Sequence, residues 1–182
     1  LVIHYLACFK SGLVATPLNY RYMAPEIDHA LEVSGASVLL AHDEREADLA
    51  QTRLVSKLPF GVVSYDDDGG TGDASYGKFV STEADTDPVP PSDDNAPILI
   101  FFTSGSTGKP KGVTHTYKTL GWILANCANA YGLTTDDIMM PGSSMSHAGG
   151  FWNVNTTLAV GAKVAIVRTF DAHELLPALR TM

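Results

Sequence analysis

The sequence predicts an α/β fold, layered, with a mainly parallel sheet and helices on both faces, and three observations carry that expectation. Short apolar runs rich in β-branched and aromatic residues alternate with longer stretches of helical periodicity, as crossover units require. Right-handed crossovers then set the helices against the sheet. Of the 182 residues 45% are apolar, enough for a core of ordinary domain size.

Taken in order, residues 1 to 11 predict the end of a core-facing helix stopped at Gly12, and Leu13 to Leu18 a strand. Pro25 lies in the first turn of a helix opening at Met23, with Ile27, Ala30, Leu31 and Val33 on its buried side. Ser37 to Ala41 follows as a short strand. Asp43 and Glu46 have capping-box spacing and predict a helix reaching about Leu58, followed by a strand from Gly61 to Tyr65.

From Asp66 to Pro97 the periodicity dissolves into Asp, Gly, Ser and Pro, and only Tyr76 to Val80 can form a short element. This divides the chain into an α/β sub-lobe over 1–65, an acidic linker over 66–97 and a second α/β sub-lobe over 98–182. Residues 66 to 94 hold nine acidic side chains and one lysine, which equals the whole net charge of −8. The acidity therefore belongs to one solvated segment, and it argues against nucleic acid as a partner.

In the second sub-lobe, Ile98 to Phe102 reads as a buried strand and Val113 to Thr116 as a strand edge. Thr116 or His115 caps a helix from Tyr117 to Tyr131, stopped at Gly132. Trp122, Ile123, Ala125, Asn126 and Cys127 form no single stripe, which predicts burial on more than one side. Ile138 to Met140 reads as a short strand, Pro141 to Gly150 as irregular, Phe151 to Val160 as a helix and Ala162 to Val167 as a strand. Asp171 and Glu174 repeat the capping-box spacing and open the last helix.

The stretch from Thr103 to Gly112 cannot pack in a core. Gly105, Gly108 and Gly112 allow positive φ, so the backbone can curl until several N–H groups face one concavity. Thr103, Ser104, Ser106 and Thr107 add hydroxyl donors, Lys109 and Lys111 add charge, and Pro110 stiffens the turn between them. Such a loop suits a polyphosphate; a hydrophilic hairpin turn is the plainer alternative. A Walker A loop needs Gly-Lys followed by Ser or Thr, and Lys109 is followed by Pro110. No Gly-x-Ser-x-Gly runs through Ser104 or Ser106.

Phe102 to Gly112 fits at every position the pattern Tyr/Phe-Thr-Ser-Gly-Ser/Thr-Thr-Gly-x-Pro-Lys-Gly, and so resembles the phosphate-binding signature of adenylate-forming (AMP-binding) enzymes. Ala7 to Asn19, ending Pro17-Leu18-Asn19, resembles an upstream segment of the same superfamily in its acyl- and aryl-CoA synthetase form. Gly161 to Val164, Phe170-Asp171 and Leu175-Leu176 extend the resemblance towards the end of the chain. It implies an incomplete portion of the large N-terminal domain of an ATP-dependent carboxylate-activating ligase, forming an acyl-adenylate and then an acyl-CoA thioester. ATP, Mg2+ and CoA are the implied cofactors, and a carboxylic acid the implied substrate.

The resemblance assigns Thr103, Ser104, Gly105, Ser106, Thr107, Gly108, Lys109 and Lys111 to the ATP phosphates. It places His147, Gly149 and Gly150 beside the acyl pocket. From the residues alone His147 is either a group that orients the substrate carboxylate or a loop histidine bonded to a neighbouring backbone group. His115, beside the phosphate loop, is read as structural. No residue of the chain is assigned a catalytic role, because the adenine, ribose and hinge motifs and the downstream adenylation lysine find no counterpart. The chain by itself is therefore expected to be inactive; a non-catalytic nucleotide- or phosphate-binding module is the alternative.

Six histidines show no ligand spacing, so no metal site is expected. Cys8 and Cys127 sit in apolar helical patterns and read as buried free thiols, with a reducing cytoplasm the default location. The opening Leu1 to Phe9 is too short for a membrane span and lacks the basic flank of a signal peptide. The chain lacks an initial methionine and stops at Met182 within a helical pattern, which predicts a piece of a longer protein. Unpaired strand edges and apolar helix faces then predict self-association.

Overall fold

The computed structural model describes residues 1–66, 75–82, 86–89, 91–103, 108–167 and 171–181. The order of elements is α1 (Val2–Ser11), α2 (Ala24–Ser34), β1 (Leu39–His42), α3 (Glu46–Leu49), β2 (Val62–Tyr65), α4 (Tyr76–Thr82), β3 (Pro97–Phe102), β4 (Gly112–Thr116), α5 (Tyr117–Tyr131), β5 (Ile138–Met139), α6 (Ala148–Ala159), β6 (Lys163–Val164) and α7 (Ala172–Thr181). The fold is α/β. β1 pairs with β2 and β5 with β6, both parallel. β3 neighbours β4, and the connection over 103–111 is too short for a crossover, so that pair is a hairpin.

The chain forms two compact units. One comprises Leu1–Pro17, Pro90–Phe101 and Thr114–Met182, the other Leu18–Val89 and Phe102–Val113. The core of the first gathers Tyr5 and Cys8 of α1 with Ile98, Leu99 and Phe101 of β3, Leu120 of α5 and Phe151 of α6. The Phe151 ring is fully buried and meets Tyr5, Phe101 and Trp152 edge to face at 4.8, 5.1 and 4.9 Å, the geometry favoured by the ring quadrupole. The buried Tyr5 hydroxyl donates to the Met145 carbonyl at 2.8 Å, and burial followed by the nearby Cys8 thiol pushes its pKa up. In the second unit, Ile27 and Leu31 of α2 pack with Val55 and with Leu39, Leu49 and Val62 around β1 and β2.

Where elements follow local signals, residues and structure agree. α1 ends at Gly12 with φ +72°, where an added Cβ would also stand 2.6 Å from Pro91. Thr116, rather than His115, caps α5 by accepting from the Thr119 N–H, and Gly132 ends that helix in the left-handed region. Asp171 Oδ1 accepts from the N–H groups of His173 and Glu174 and so opens α7.

Several expected elements are shorter. Of Leu13 to Leu18 only Ala15 pairs, giving one parallel bridge to Leu99. The Leu13 N–H is spent on the Cys8 carbonyl and Pro17 has none to give. The helix expected from Asp43 to Leu58 is broken into a 3-10 turn over Asp43–Arg45, the short α3 and a second turn over Val55–Lys57. His42, not Asp43, is its cap, its Nδ1 accepting from Glu44 N–H at 3.2 Å. In α5 only Leu120 is buried, while Trp122 is 69% exposed, so that helix buries one side rather than several. Cys8 is buried and Cys127 half-buried, both as free thiols. No helix among the described residues is long and apolar enough to cross a membrane.

Candidate functional site

β3 carries the chain from the core to the loop: Ile98, Leu99 and Phe101 are buried, and Thr103 beyond the strand is exposed. The neck is closed by one backbone–backbone hydrogen bond and one to the Thr103 hydroxyl. The Thr103 N–H donates to the Lys111 carbonyl at 3.0 Å, and the Lys111 N–H donates to Thr103 Oγ1 at 3.4 Å. Lys109 and Lys111 themselves are exposed, so their ammonium groups stand in water at the loop. An added Cβ at Gly108 would meet nothing within 4 Å among the described residues. Ser104, Gly105, Ser106 and Thr107 lie outside the described residues.

A contact not foreseen from the sequence reaches the same loop. His29 Nε2 on α2 lies 2.8 Å from the Pro110 carbonyl, and the His29 and Phe102 rings stand 6.4 Å apart at 61°. No local pattern singles out His29, which occupies an ordinary position between the buried Asp28 and Ala30.

His147, Gly149 and Gly150 belong to the other compact unit. The stretch expected to be irregular up to Gly150 ends earlier, because α6 begins at Ala148 with His147 as its cap. His147 Nδ1 accepts from the Gly149 N–H at 3.4 Å, and its carbonyl accepts from Phe151 N–H at 3.0 Å. The imidazole is exposed. The two glycines meet different surroundings. Gly150 is buried, and a Cβ there would stand 2.4 Å from the carbonyl oxygens of both Ser143 and Ser144. Gly149 is exposed, and a Cβ there would meet two side-chain atoms, the Ser143 hydroxyl at 3.2 Å and His147 Nδ1 at 3.8 Å.

His115 packs its ring 5.3 Å from Trp152 and 6.4 Å from Phe101, and burial lowers its pKa. It is an uncharged packing group at neutral pH, in keeping with a structural role. Among the described residues no group of three His, Cys, Asp or Glu side chains is placed to hold a metal. A cavity of about 680 Å³, lined by His42, Glu46, Leu49, Val55 and Ser64 among others, involves none of the expected site residues.

The sequence profile of the AMP-binding enzyme family matches residues 1–181. A feruloyl-CoA synthase of an Amycolatopsis species is 34% identical over 177 residues, covering 95% of this chain and 32% of that protein. An indoleacetate–CoA ligase of Aromatoleum aromaticum is 31% identical over 175 residues, covering 95% of this chain and 34% of that protein. The solved structure of ATP-bound MatB from Rhodopseudomonas palustris has a TM-score of 0.86 at 20% identity, covering 98% of this chain and 35% of that one. At that identity the likeness is one of fold. The chain spans about a third of the length of the curated relatives it matches.

Proposed function

The chain belongs to the AMP-binding enzyme family, and from that premise we propose that it forms part of an ATP-dependent acid–thiol ligase. In the proposed reaction a carboxylate oxygen attacks the α-phosphorus of ATP, the bond to the β-phosphate oxygen breaks, and pyrophosphate leaves behind an acyl-adenylate. The thiol of CoA then attacks the acyl carbon, loses its proton and displaces AMP. Nucleotidyl transfer of this kind depends mainly on positioning and on neutralising phosphate charge.

The single observation that carries the reading is the loop from Thr103 to Lys111, closed at its neck by hydrogen bonds between those two residues, with both lysines exposed. Ser104, Gly105, Ser106, Thr107 and Gly108 supply N–H and hydroxyl donors to the phosphates, and Thr103, whose N–H is taken by the Lys111 carbonyl, offers its hydroxyl. Lys109 and Lys111 supply positive charge, and charge-assisted hydrogen bonds of this type are shorter and stronger than neutral ones. His147 and Gly149 flank the acid substrate, and Gly150 serves there by letting Ser143 and Ser144 pack close. Magnesium accompanies ATP, and no residue of this chain is assigned to it.

The substrate pocket's chemistry is sought first among aromatic acids, since two relatives are named for feruloyl and indoleacetate substrates. The test is acid-dependent ATP–pyrophosphate exchange with the longer protein carrying this chain, across a panel of aromatic and aliphatic acids. The 182-residue chain alone is proposed to bind ATP without exchange. ATP binding by the longer protein with no exchange for any acid would instead indicate a non-catalytic nucleotide-binding module.

A further inference from the structure

We propose that His29 is a positioning residue for the phosphate-binding loop: it holds the Pro110 carbonyl and thereby sets where Lys109 and Lys111 stand. The part of this proposal that concerns phosphate affinity rests on the functional reading above; the tether itself does not.

A carbonyl oxygen only accepts, so the 2.8 Å contact requires the proton on His29 Nε2. Proline has no N–H, which makes that carbonyl the only backbone hydrogen-bonding group at position 110. The partners are 81 residues apart in the chain, so the bond ties α2 to the loop rather than closing a local turn. α2 is itself fixed next to His29. Ile27, Asp28, Ala30 and Leu31 are all buried, and the Asp28 carboxylate binds the N–H groups of Arg53 and Leu54.

The loop end is thus held from two sides. Thr103 ties Lys111 across the neck, and His29 ties Pro110 from the helix, with the Phe102 ring beside it. The side chains of Lys109 and Lys111, beside those ties, are exposed. Ordering the backbone in advance removes that ordering from the cost of ligand binding.

The experiment compares the wild-type chain with His29→Ala and His29→Gln, whose amide Nε2 can reach the same carbonyl. Hydrogen exchange over residues 108–116 is read first. The Ala variant is expected to exchange faster there with the rest of the chain unchanged, and the Gln variant to match wild type. ATP affinity is read second, by calorimetry, with a fall of about tenfold expected for Ala, the scale of one hydrogen bond, and most of it regained by Gln. In the longer protein the loss falls on KM for ATP and leaves KM for the acid unchanged, a split that general destabilisation would not produce. Unchanged exchange over residues 108–116 in His29→Ala overturns the tether. Lost affinity that Gln does not regain overturns the positioning role. A wild-type chain that binds no ATP overturns the functional reading instead, and the exchange data then decide the tether alone.

Discussion

The Asp28 carboxylate accepts from the backbone N–H of Arg53 at 2.9 Å and from its guanidinium Nε–H at 3.1 Å, joining α2 to the segment after α3. The Leu54 N–H adds a third bond at 2.9 Å. Asp28 is buried, whereas the Arg53 side chain is 81% exposed, so solvent screens the ion pair and the backbone donors carry most of the effect. Asp28→Ala strands two N–H groups and is expected to destabilise the chain by about 3 kcal/mol, with Asn regaining part of it. Urea denaturation of the three proteins measures this; a loss below about 0.5 kcal/mol, the scale of an ordinary surface substitution, refutes it.

The same geometry predicts an acid limb. Burial alone would raise the Asp28 pKa, but the Arg53 and Leu54 N–H groups and the Arg53 guanidinium outweigh it and hold the carboxyl below its ordinary value. Asp137 is held low in the same direction by the N–H and hydroxyl of Thr134. A folded pKa below the unfolded one means that the charged form favours folding. The contribution is complete above the ordinary aspartate value of about 3.9 and is lost as pH falls through that value towards the depressed one. Stability measured between pH 6 and pH 3 is expected to fall less steeply in Asp28→Asn than in wild type.

Asp28 also explains where the sequence was hardest to read. Capping-box spacing at Asp43 and Glu46 predicts one long helix, but the amides of Arg53 and Leu54 that would continue it are taken by a carboxylate 25 residues earlier. Tertiary capture of this kind leaves no local trace. α5 was legible because its signals are local: Thr116 caps it and Gly132 ends it. The loop at Thr103 to Gly112 stood out by its glycines, hydroxyls and lysines, and the structure closes its neck between Thr103 and Lys111. His29 was not, because a half-buried histidine on a helix looks the same in sequence whether or not it meets a carbonyl 81 positions away.

Gly149 and Gly150 are adjacent yet are expected to respond differently. A Cβ at Gly150 would lie 2.4 Å from the Ser143 and Ser144 carbonyl oxygens, and backbone cannot move aside as a side chain can. Gly150→Ala is expected to cost about 1 to 3 kcal/mol through overpacking. Gly149→Ala meets the Ser143 hydroxyl, which can rotate, and His147 Nδ1 at an ordinary contact distance of 3.8 Å, and alanine favours the first turn of α6. Thermal unfolding of the two variants should separate them by several degrees.

His147 offers its Nδ1 to the cap of α6 through a long 3.4 Å contact and leaves the rest of the exposed ring available to substrate. Asn retains the capping ability, Ala does not. His147→Ala is expected to lose up to about 1 kcal/mol of stability and His147→Asn almost none. If the ring orients the acid, both raise KM for the carboxylic acid in the longer protein by a similar factor. An unchanged KM in both, with stability lost only in Ala, would reduce His147 to its capping role.

Lys111 separates backbone from charge more cleanly than any other loop residue. Its N–H and carbonyl are both bonded to Thr103, and neither bond involves the side chain, which is exposed. Lys111→Ala should therefore leave the neck closed and the stability within about 0.5 kcal/mol of wild type. On the proposed function it removes a positive charge that faces the phosphates, and a hydrogen bond to a charged group is worth about 1.5 to 3 kcal/mol. ATP affinity is expected to fall by about tenfold or more, and the salt dependence of binding to weaken with it. Calorimetric titration at two ionic strengths reads both quantities. A variant that binds ATP as tightly as wild type would mean that the exposed ammonium faces solvent in the complex too, and that the loop holds phosphate by its backbone and hydroxyls alone.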